Sequence, residues 1–306
     1  MTLLQPGREE ENMQIRPQIV RPEVTHTILK RFGLRAHKRL GQNFLISPRV
    51  LANIIQAAEI NNGDQVLEIG PGIGTLTQGL AEAGAFVTAV ELDSGLLPVL
   101  EKTLEGYENI SIIHGDILKI NLAGLLGDVR WKVVANLPYY ITTPIIMTLL
   151  EQRLPFSLLV SMVQKEVAER MTAKPGGKEY GALSVAVQYY TSPEIITLVP
   201  PHSFVPEPSV ESAVIKCTVR DTPPVQLLNE PFFFKVVRGS FGQRRKTILN
   251  ALGAAALGLD RVRIEEGLMT VNVSPSRRGE TLSIQEFAAL SNVLWTLRTD
   301  TTSSTK

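Results

Sequence analysis

Between residues 65 and 171 short apolar runs alternate with amphipathic segments. The runs 65–69, 86–90, 110–114, 132–135 and 157–163 have the length and apolar character of buried strands. The stretches 75–83, 95–104, 144–152 and 165–171 instead repeat apolar residues at the helical interval. Strands and helices taking turns in this way predict a doubly wound parallel sheet with ligands at the strand C-termini. Ahead of it, Ser47-Pro48 has the cap-then-proline form of a helix start, and Val50, Leu51, Ile54, Ile55 and Ala58 follow on one face. Residues 22–32 also carry a helical pattern. After the sheet, 183–190, 194–198 and 213–219 read as antiparallel strands at one edge. Beyond the linker Asp221-Thr222-Pro223-Pro224, the stretches 232–241, 246–252, 260–268 and 284–297 predict helices. The expected fold is therefore α/β, a Rossmann-like doubly wound domain over 27–220 with a smaller all-α domain over 221–298. Residues 1–26, aperiodic and holding Pro6, Pro17 and Pro22, read as a flexible leader, and 299–306 as a disordered tail.

Composition narrows the setting. At 306 residues with 44% hydrophobic content the chain affords a sizeable core and two domains. The single Cys217 sits in a predicted strand and reads as core filler, so no disulfide framework is expected and a reducing cytoplasm fits. No apolar run approaches the ~18 residues of a membrane span. His26, His37, His114 and His202 are scattered without ligand spacing, so no metal is expected.

The net charge of +1 hides a segregation. Residues 1–46 hold eight basic and four acidic residues, 47–219 hold eleven and eighteen, and 220–298 hold eleven and seven. Two runs contain no acid: Lys30-Arg31 with Arg35, Lys38 and Arg39, and Arg238 with Arg244, Arg245 and Lys246. Either alone reads as a solvated helix face. Together they predict a polyanion partner, with Lys38, Arg39, Arg244, Arg245 and Lys246 against its phosphates.

The first strand runs into Gly70-Pro71-Gly72-Ile73-Gly74-Thr75, which opens a helix, and glycines there let the backbone approach a ligand closely. The spacing is not that of the dinucleotide fingerprint, and Pro71 lacks an N–H, which weakens a phosphate cradle. An adenosyl ligand with an amino-acid tail suits it better. Glu91 ends the next strand and can accept from both ribose hydroxyls. Asp116, after the third, can accept from an adenine amine, or it can simply form a turn. Gly70, Gly72, Glu91 and Asp116 together favour S-adenosylmethionine over a nicotinamide dinucleotide.

The fourth strand delivers Asn136-Leu137-Pro138-Tyr139 to the same edge. Pro138 ends the strand and stiffens the loop. A purine amine is a poor nucleophile because its lone pair is delocalised into the ring. An Asn136 side-chain carbonyl and the Pro138 main-chain carbonyl can each accept one N–H and aim the lone pair at an incoming methyl, while Tyr139 stacks on the base. A strand end with an ordinary proline turn is the plainer alternative.

Leu40-Gly41-Gln42-Asn43-Phe44-Leu45, Glu68-Ile69-Gly70-Pro71-Gly72, Glu91-Leu92-Asp93, Gly115-Asp116, Asn136-Leu137-Pro138-Tyr139 and the segment from Ser203-Phe204 through Pro206, Pro208 and Val210 to Ser212 stand in order here. In this the chain resembles the rRNA adenine N6,N6-dimethyltransferase family from about residue 30 to 297, and its segments 241–247 and 278–287 resemble the small-subunit branch. The resemblance implies that Asn43 and Leu45 line the cofactor pocket with Gly70, Glu91, Asp116 and Asn136. It also implies that Phe204 stacks on a flipped adenine opposite Tyr139, although such a phenylalanine could equally plug a core. The implied activity is S-adenosylmethionine-dependent dimethylation of two adjacent adenines in the 3′-terminal hairpin of 16S rRNA, acting on the immature small subunit. A monomer is expected, although the sequence does not settle oligomeric state. The large-subunit resistance enzymes and a ribosome-assembly factor that has lost catalysis are the alternatives.

Overall fold

The computed structural model describes residues 17–34 and 42–303. In chain order the elements are α1 (Pro22–Arg31), β1 (Phe44–Leu45), α2 (Pro48–Ala57), β2 (Gln65–Ile69), α3 (Thr75–Glu82), β3 (Phe86–Glu91), α4 (Leu97–Thr103), β4 (Ile110–His114), α5 (Leu122–Leu126), β5 (Trp131–Asn136), α6 (Thr142–Glu151), β6 (Phe156–Gln164), α7 (Lys165–Thr172), α8 (Ala182–Tyr190), β7 (Thr191–Val199), β8 (Phe204–Val205) and β9 (Ser212–Val219). Four helices follow: α9 (Glu230–Phe241), α10 (Ile248–Ala254), α11 (Arg261–Thr270) and α12 (Ile284–Ser303).

Seven strands form one sheet in the order β4-β3-β2-β5-β6-β9-β7, parallel from β4 to β6, with β9 antiparallel to both of its neighbours. The parallel strands are apolar on both faces because helices cover both. Val66, Val87, Val134 and Val160 pack with Ile54 of α2 and Leu80 of α3, while Leu67, Val133, Ala135 and Leu159 pack with Ile146 of α6 and Met171 of α7. The chain leaves β2 for β3 and β4 on one side and returns to β5 on the other. Ile69 and Ala135 are register partners, so Gly70 and Asn136 emerge side by side at this reversal, where open α/β sheets bind ligands.

Three expectations are corrected. Residues 183–190 form α8, not a strand. Leu183 and Val187 enter the sheet's core, and Val185, Ala186 and Tyr189 enter a second core with Phe233, Leu252, Leu268, Phe287 and Leu294 of the C-terminal helices. A helix buried on both sides is apolar all round and has lost the periodicity that identifies it. Residues 17–26 are also no leader. Ile19 and Val20 are 2% and 3% exposed, the Ile19 N–H donates to Gln78 Oε1 at 2.8 Å, and Thr25 donates to the Ile19 carbonyl at 2.7 Å. Residues 299–303 of the expected tail are no tail either, since α12 continues through them to Ser303. The remaining residues of the expected leader, 1–16, and the last three of the expected tail lie outside the described residues.

The helical part is tied to the sheet by polar contacts as well as by its core. Glu230 of α9 accepts from Tyr189 Oη at 2.8 Å and Tyr190 Oη at 2.9 Å and pairs with Arg153.

Candidate active site

Gly70, Gly72 and Gly74 have φ of 69°, 63° and 92°, a region where side-chain-bearing residues are strained. A Cβ on Gly72 would stand 3.4 Å from the Phe44 ring, so the loop lies close against the segment that enters β1. Glu91, 6% exposed, receives the Gly72 N–H at 3.2 Å on Oε2 and the Asp93 N–H at 2.8 Å on Oε1. Burial raises its pKa, the backbone N–H groups of Asp93, Gly72 and Leu92 oppose that rise, and the Asp93 carboxylate adds to it. Each Glu91 oxygen keeps a further lone pair for a ligand hydroxyl. Gln42 Nε2 donates to Asp93 Oδ2 at 2.8 Å and steadies the same corner.

Asn43, Leu45, Gly70, Gly72, Glu91, Asp116 and Asn136 all line one pocket, together with Ile69, Leu92, Ile117, Pro138 and Tyr140. Asp116 also forms a turn, receiving the Leu118 N–H at 3.1 Å on Oδ1, with Lys119 at 3.5 Å.

Asn136 closes β5, and its Nδ2 donates to the Asn43 carbonyl at 3.1 Å. That bond fixes which way the amide faces, and Oδ1 is left as an acceptor. The Pro138 carbonyl is already engaged, accepting from Thr142 Oγ1 at 2.9 Å and from the Ile141 N–H at 3.2 Å. It is therefore not the second acceptor expected from the sequence. The Leu137 carbonyl has no hydrogen-bond donor among the described residues, while the Leu137 N–H is held by the Met162 carbonyl at 3.1 Å.

The two expected stacking residues differ. Tyr139 is half-buried, its hydroxyl lies 2.5 Å from Ser212 Oγ, and burial raises its pKa, so the phenol stays protonated. Phe204 is 1% exposed in β8, paired with Leu45 and packed among Leu158, Val160, Val199 and Val214. In this structure it is the core plug and offers no face to a base.

Sequence reasoning gave no separate role to Glu68 or Ser212. Glu68 lines the pocket from the end of β2, is 1% exposed, and its Oε2 has no hydrogen-bond partner among the described residues. Burial, and after it the Glu91 carboxylate, pushes its pKa up to about 8. The available signal was an acid inside the apolar run Val66-Leu67-Glu68-Ile69. Ser212 carried none beyond its place in the shared motif.

Of the residues expected against phosphates, Lys38 and Arg39 lie outside the described residues. Arg244 is a strap between the two parts: its guanidinium donates to the Tyr180 carbonyl at 3.2 Å and to that of Lys178. Arg245 and Lys246 are exposed beside it. Among the described residues there is no group of three His, Cys, Asp or Glu placed to hold a metal, and no helix is long and apolar enough to cross a membrane.

Residues 33–290 match the family model described as ribosomal RNA adenine dimethylase. A ribosomal RNA small subunit methyltransferase A from Bacillus pumilus is 51% identical over 283 residues, covering 90% of this chain and 97% of the relative. The protein of that name from Alkaliphilus oremlandii is 48% identical over 281 residues, covering 90% and 98%. Among solved structures, a dimethyladenosine transferase from Plasmodium falciparum superposes with a TM-score of 0.67 at 28% identity over 81% of this chain and 95% of that one. The 23S rRNA methyltransferase ErmE does so at 0.64 and 26%, over 82% and 99%. With the glycine loop, Glu91 and the Asn136 loop meeting at one sheet edge, and with the family model matched over most of its length, the chain belongs to the ribosomal RNA adenine dimethylase family.

Proposed function

We propose that this protein transfers methyl groups from S-adenosylmethionine to the N6 amines of two adjacent adenines in the 3′-terminal hairpin of 16S rRNA, acting in the cytoplasm on the immature small subunit. The observation that carries the chemistry is the Asn136 amide, turned by the Asn43 carbonyl so that Oδ1 is the acceptor, one strand away from the glycine loop.

The pocket residues suit this cofactor. A nicotinamide dinucleotide would bring a pyrophosphate to the glycine loop, where Glu68 and Glu91 are both buried and Pro71 offers no N–H. An adenosyl amino acid brings N–H donors instead, and the unpartnered Glu68 Oε2 can accept from one of them. Glu91 would take the ribose hydroxyls, Asp116 the adenine amine, and Ile117 and Leu92 the ring faces. When bound, S-adenosylmethionine supplies an electrophilic methyl on a positively charged sulfur.

The chain's own part is positioning. Asn136 Oδ1 and the Leu137 carbonyl would each accept one N–H of the target amine, drawing its lone pair out of conjugation and along the line of transfer. The nitrogen would gain the methyl as the sulfur–methyl bond breaks, the sulfur keeping that electron pair, and would release one proton to water. No strong base is required, and the protonated Tyr139 takes no proton. The half-open Tyr139 ring would support the base.

The small-subunit target is favoured over the large-subunit one because the curated relatives near half identity carry the small-subunit name, whereas ErmE shares only the fold and a quarter of the residues. The test is transfer of labelled methyl to purified 16S and 23S rRNA and to immature small subunits. Label in the 3′-terminal hairpin of 16S rRNA is the expected result, and label in 23S rRNA alone would reject this reading.

A further inference from the structure

The pocket rim carries an aromatic face that the scheme above leaves unused. Tyr140 is 55% exposed and lines the same pocket as Asn136 and Pro138. Among the described residues the other aromatic with so open a surface is Phe86, at 51%, and it starts β3 at the opposite end of the sheet. Tyr140 is thus the open ring at the strand ends where a nucleic acid would approach.

Its backbone is held firmly. The Ile141 N–H donates to the Pro138 carbonyl at 3.2 Å, so residues 138–141 form a hydrogen-bonded turn with Tyr139 and Tyr140 at its centre, and the Thr142 hydroxyl locks the same carbonyl at 2.9 Å. The two tyrosines part at this turn. Tyr139 is anchored through its hydroxyl to Ser212, whereas Tyr140 belongs to none of the core clusters and stands open. A rigid turn that presents a large aromatic to water beside a catalytic asparagine has the form of a stacking platform, and stacking is tolerant of base identity because every base has a π-face. Leu92, 45% exposed, lines the pocket from the β3 side and extends the apolar rim.

We infer that Tyr140 stacks on the nucleotide next to the target adenine. This rests on the RNA reading above. With one adenine drawn into the pocket beside Asn136, the strand on either side must cross the rim, and Tyr140 is the aromatic surface it meets there. Holding the neighbouring base would keep the second of two adjacent targets at the mouth while the first is modified.

The test is a double-mutant cycle between protein and RNA, read as binding of a 3′-terminal 16S hairpin by fluorescence anisotropy. The hairpin is used intact and with an abasic site beside the target adenine, against the wild type, Tyr140→Ala and Tyr140→Phe. Tyr140→Ala is expected to weaken the intact hairpin by about ten- to a hundredfold, the usual worth of one stacked base. On the abasic hairpin its effect should shrink to within about twofold, the scatter of independent sites. Tyr140→Phe should bind both like the wild type. Equal losses on the two RNAs, or no loss on the intact one, would overturn the role of Tyr140 while leaving the methylation reading standing. A wild type that neither binds nor methylates the intact hairpin would overturn the RNA reading and this inference with it.

Discussion

The Tyr139 hydroxyl lies 2.5 Å from the hydroxyl of Ser212, which is fully buried where β9 begins beside Gln164 of β6. The loop that follows Asn136 is thereby anchored to the antiparallel side of the sheet, and the Tyr139 ring is held at one angle. The last residue of the Phe204–Ser212 motif thus serves the Asn136 loop directly.

If that bond orients the ring, Tyr139→Phe and Ser212→Ala should each slow methyl transfer by about fivefold, equivalent to about 1 kcal/mol for one neutral hydrogen bond. The double variant should be no slower than the slower single one. Single-turnover rates on the RNA substrate decide this, and effects that simply multiply would show that the hydroxyl pair does not act as a unit.

Glu91→Ala should weaken S-adenosylmethionine binding by about ten- to a hundredfold, since a hydrogen bond to an ionised group is worth about 1.5–3 kcal/mol. The carboxylate also holds the Gly72 and Asp93 N–H groups, so part of the loss would come from a looser loop. Calorimetry on the purified variant is the measurement. Unchanged affinity would place the ribose elsewhere.

Glu68 makes cofactor-free stability depend on pH in an unusual direction for a carboxylate. The unfolded side chain ionises near 4.5, while the folded one keeps its proton to about 8. Between those values the unfolded chain gives up a proton that the folded chain retains, so stability falls as pH rises, by up to about 1.4 kcal/mol per unit. Glu68→Gln removes this titration. Its stability relative to wild type should therefore improve between about pH 5 and about pH 8 in urea unfolding without cofactor. A constant difference across that range would mean that Glu68 titrates normally.

The basic cluster should divide by role. Arg245→Ala and Lys246→Ala should each flatten the plot of log RNA affinity against log salt by about one unit on duplex, less on single strands, without lowering the melting temperature. Arg244→Ala should do the reverse, because its guanidinium is spent on the Lys178 and Tyr180 carbonyls. Salt titrations with thermal melts of the three variants check this. A full unit of slope lost in Arg244→Ala would return that residue to the RNA surface.

Much of this site is legible in the sequence because its parts sit at ends of buried parallel strands, where an apolar run breaks abruptly into glycine, acid or asparagine. Gly70, Glu91, Asp116 and Asn136 are found in that way. What escapes is whatever depends on a partner distant in the chain. Ile19 and Val20 look like leader because what buries them lies far along the chain: Ile19 packs with Ile73, Leu96 and Leu100, Val20 with Leu45 and Ile54, and the Ile19 N–H is held by Gln78, fifty-nine positions on. Phe204 looks like a free aromatic in a proline loop until Leu45 pairs with it. The carbonyl of Pro138 looks available until Thr142 turns back onto it, and residues 183–190 hide their helical period because two cores bury them.

Asn136→Ala tests the account most directly. The variant loses both the acceptor aimed at the amine and the bond to Asn43, whose geometry matters most in the transition state. Single-turnover methylation of the 16S hairpin, with RNA affinity measured in parallel, should show the rate reduced by about a hundred- to a thousandfold, the scale of losing one preorganised polar contact to a reacting group. RNA affinity should change by no more than about threefold, the worth of a peripheral contact. A variant that methylates at nearly the wild-type rate, or one that fails because it no longer binds RNA, would contradict the claim that Asn136 works by aligning the target amine.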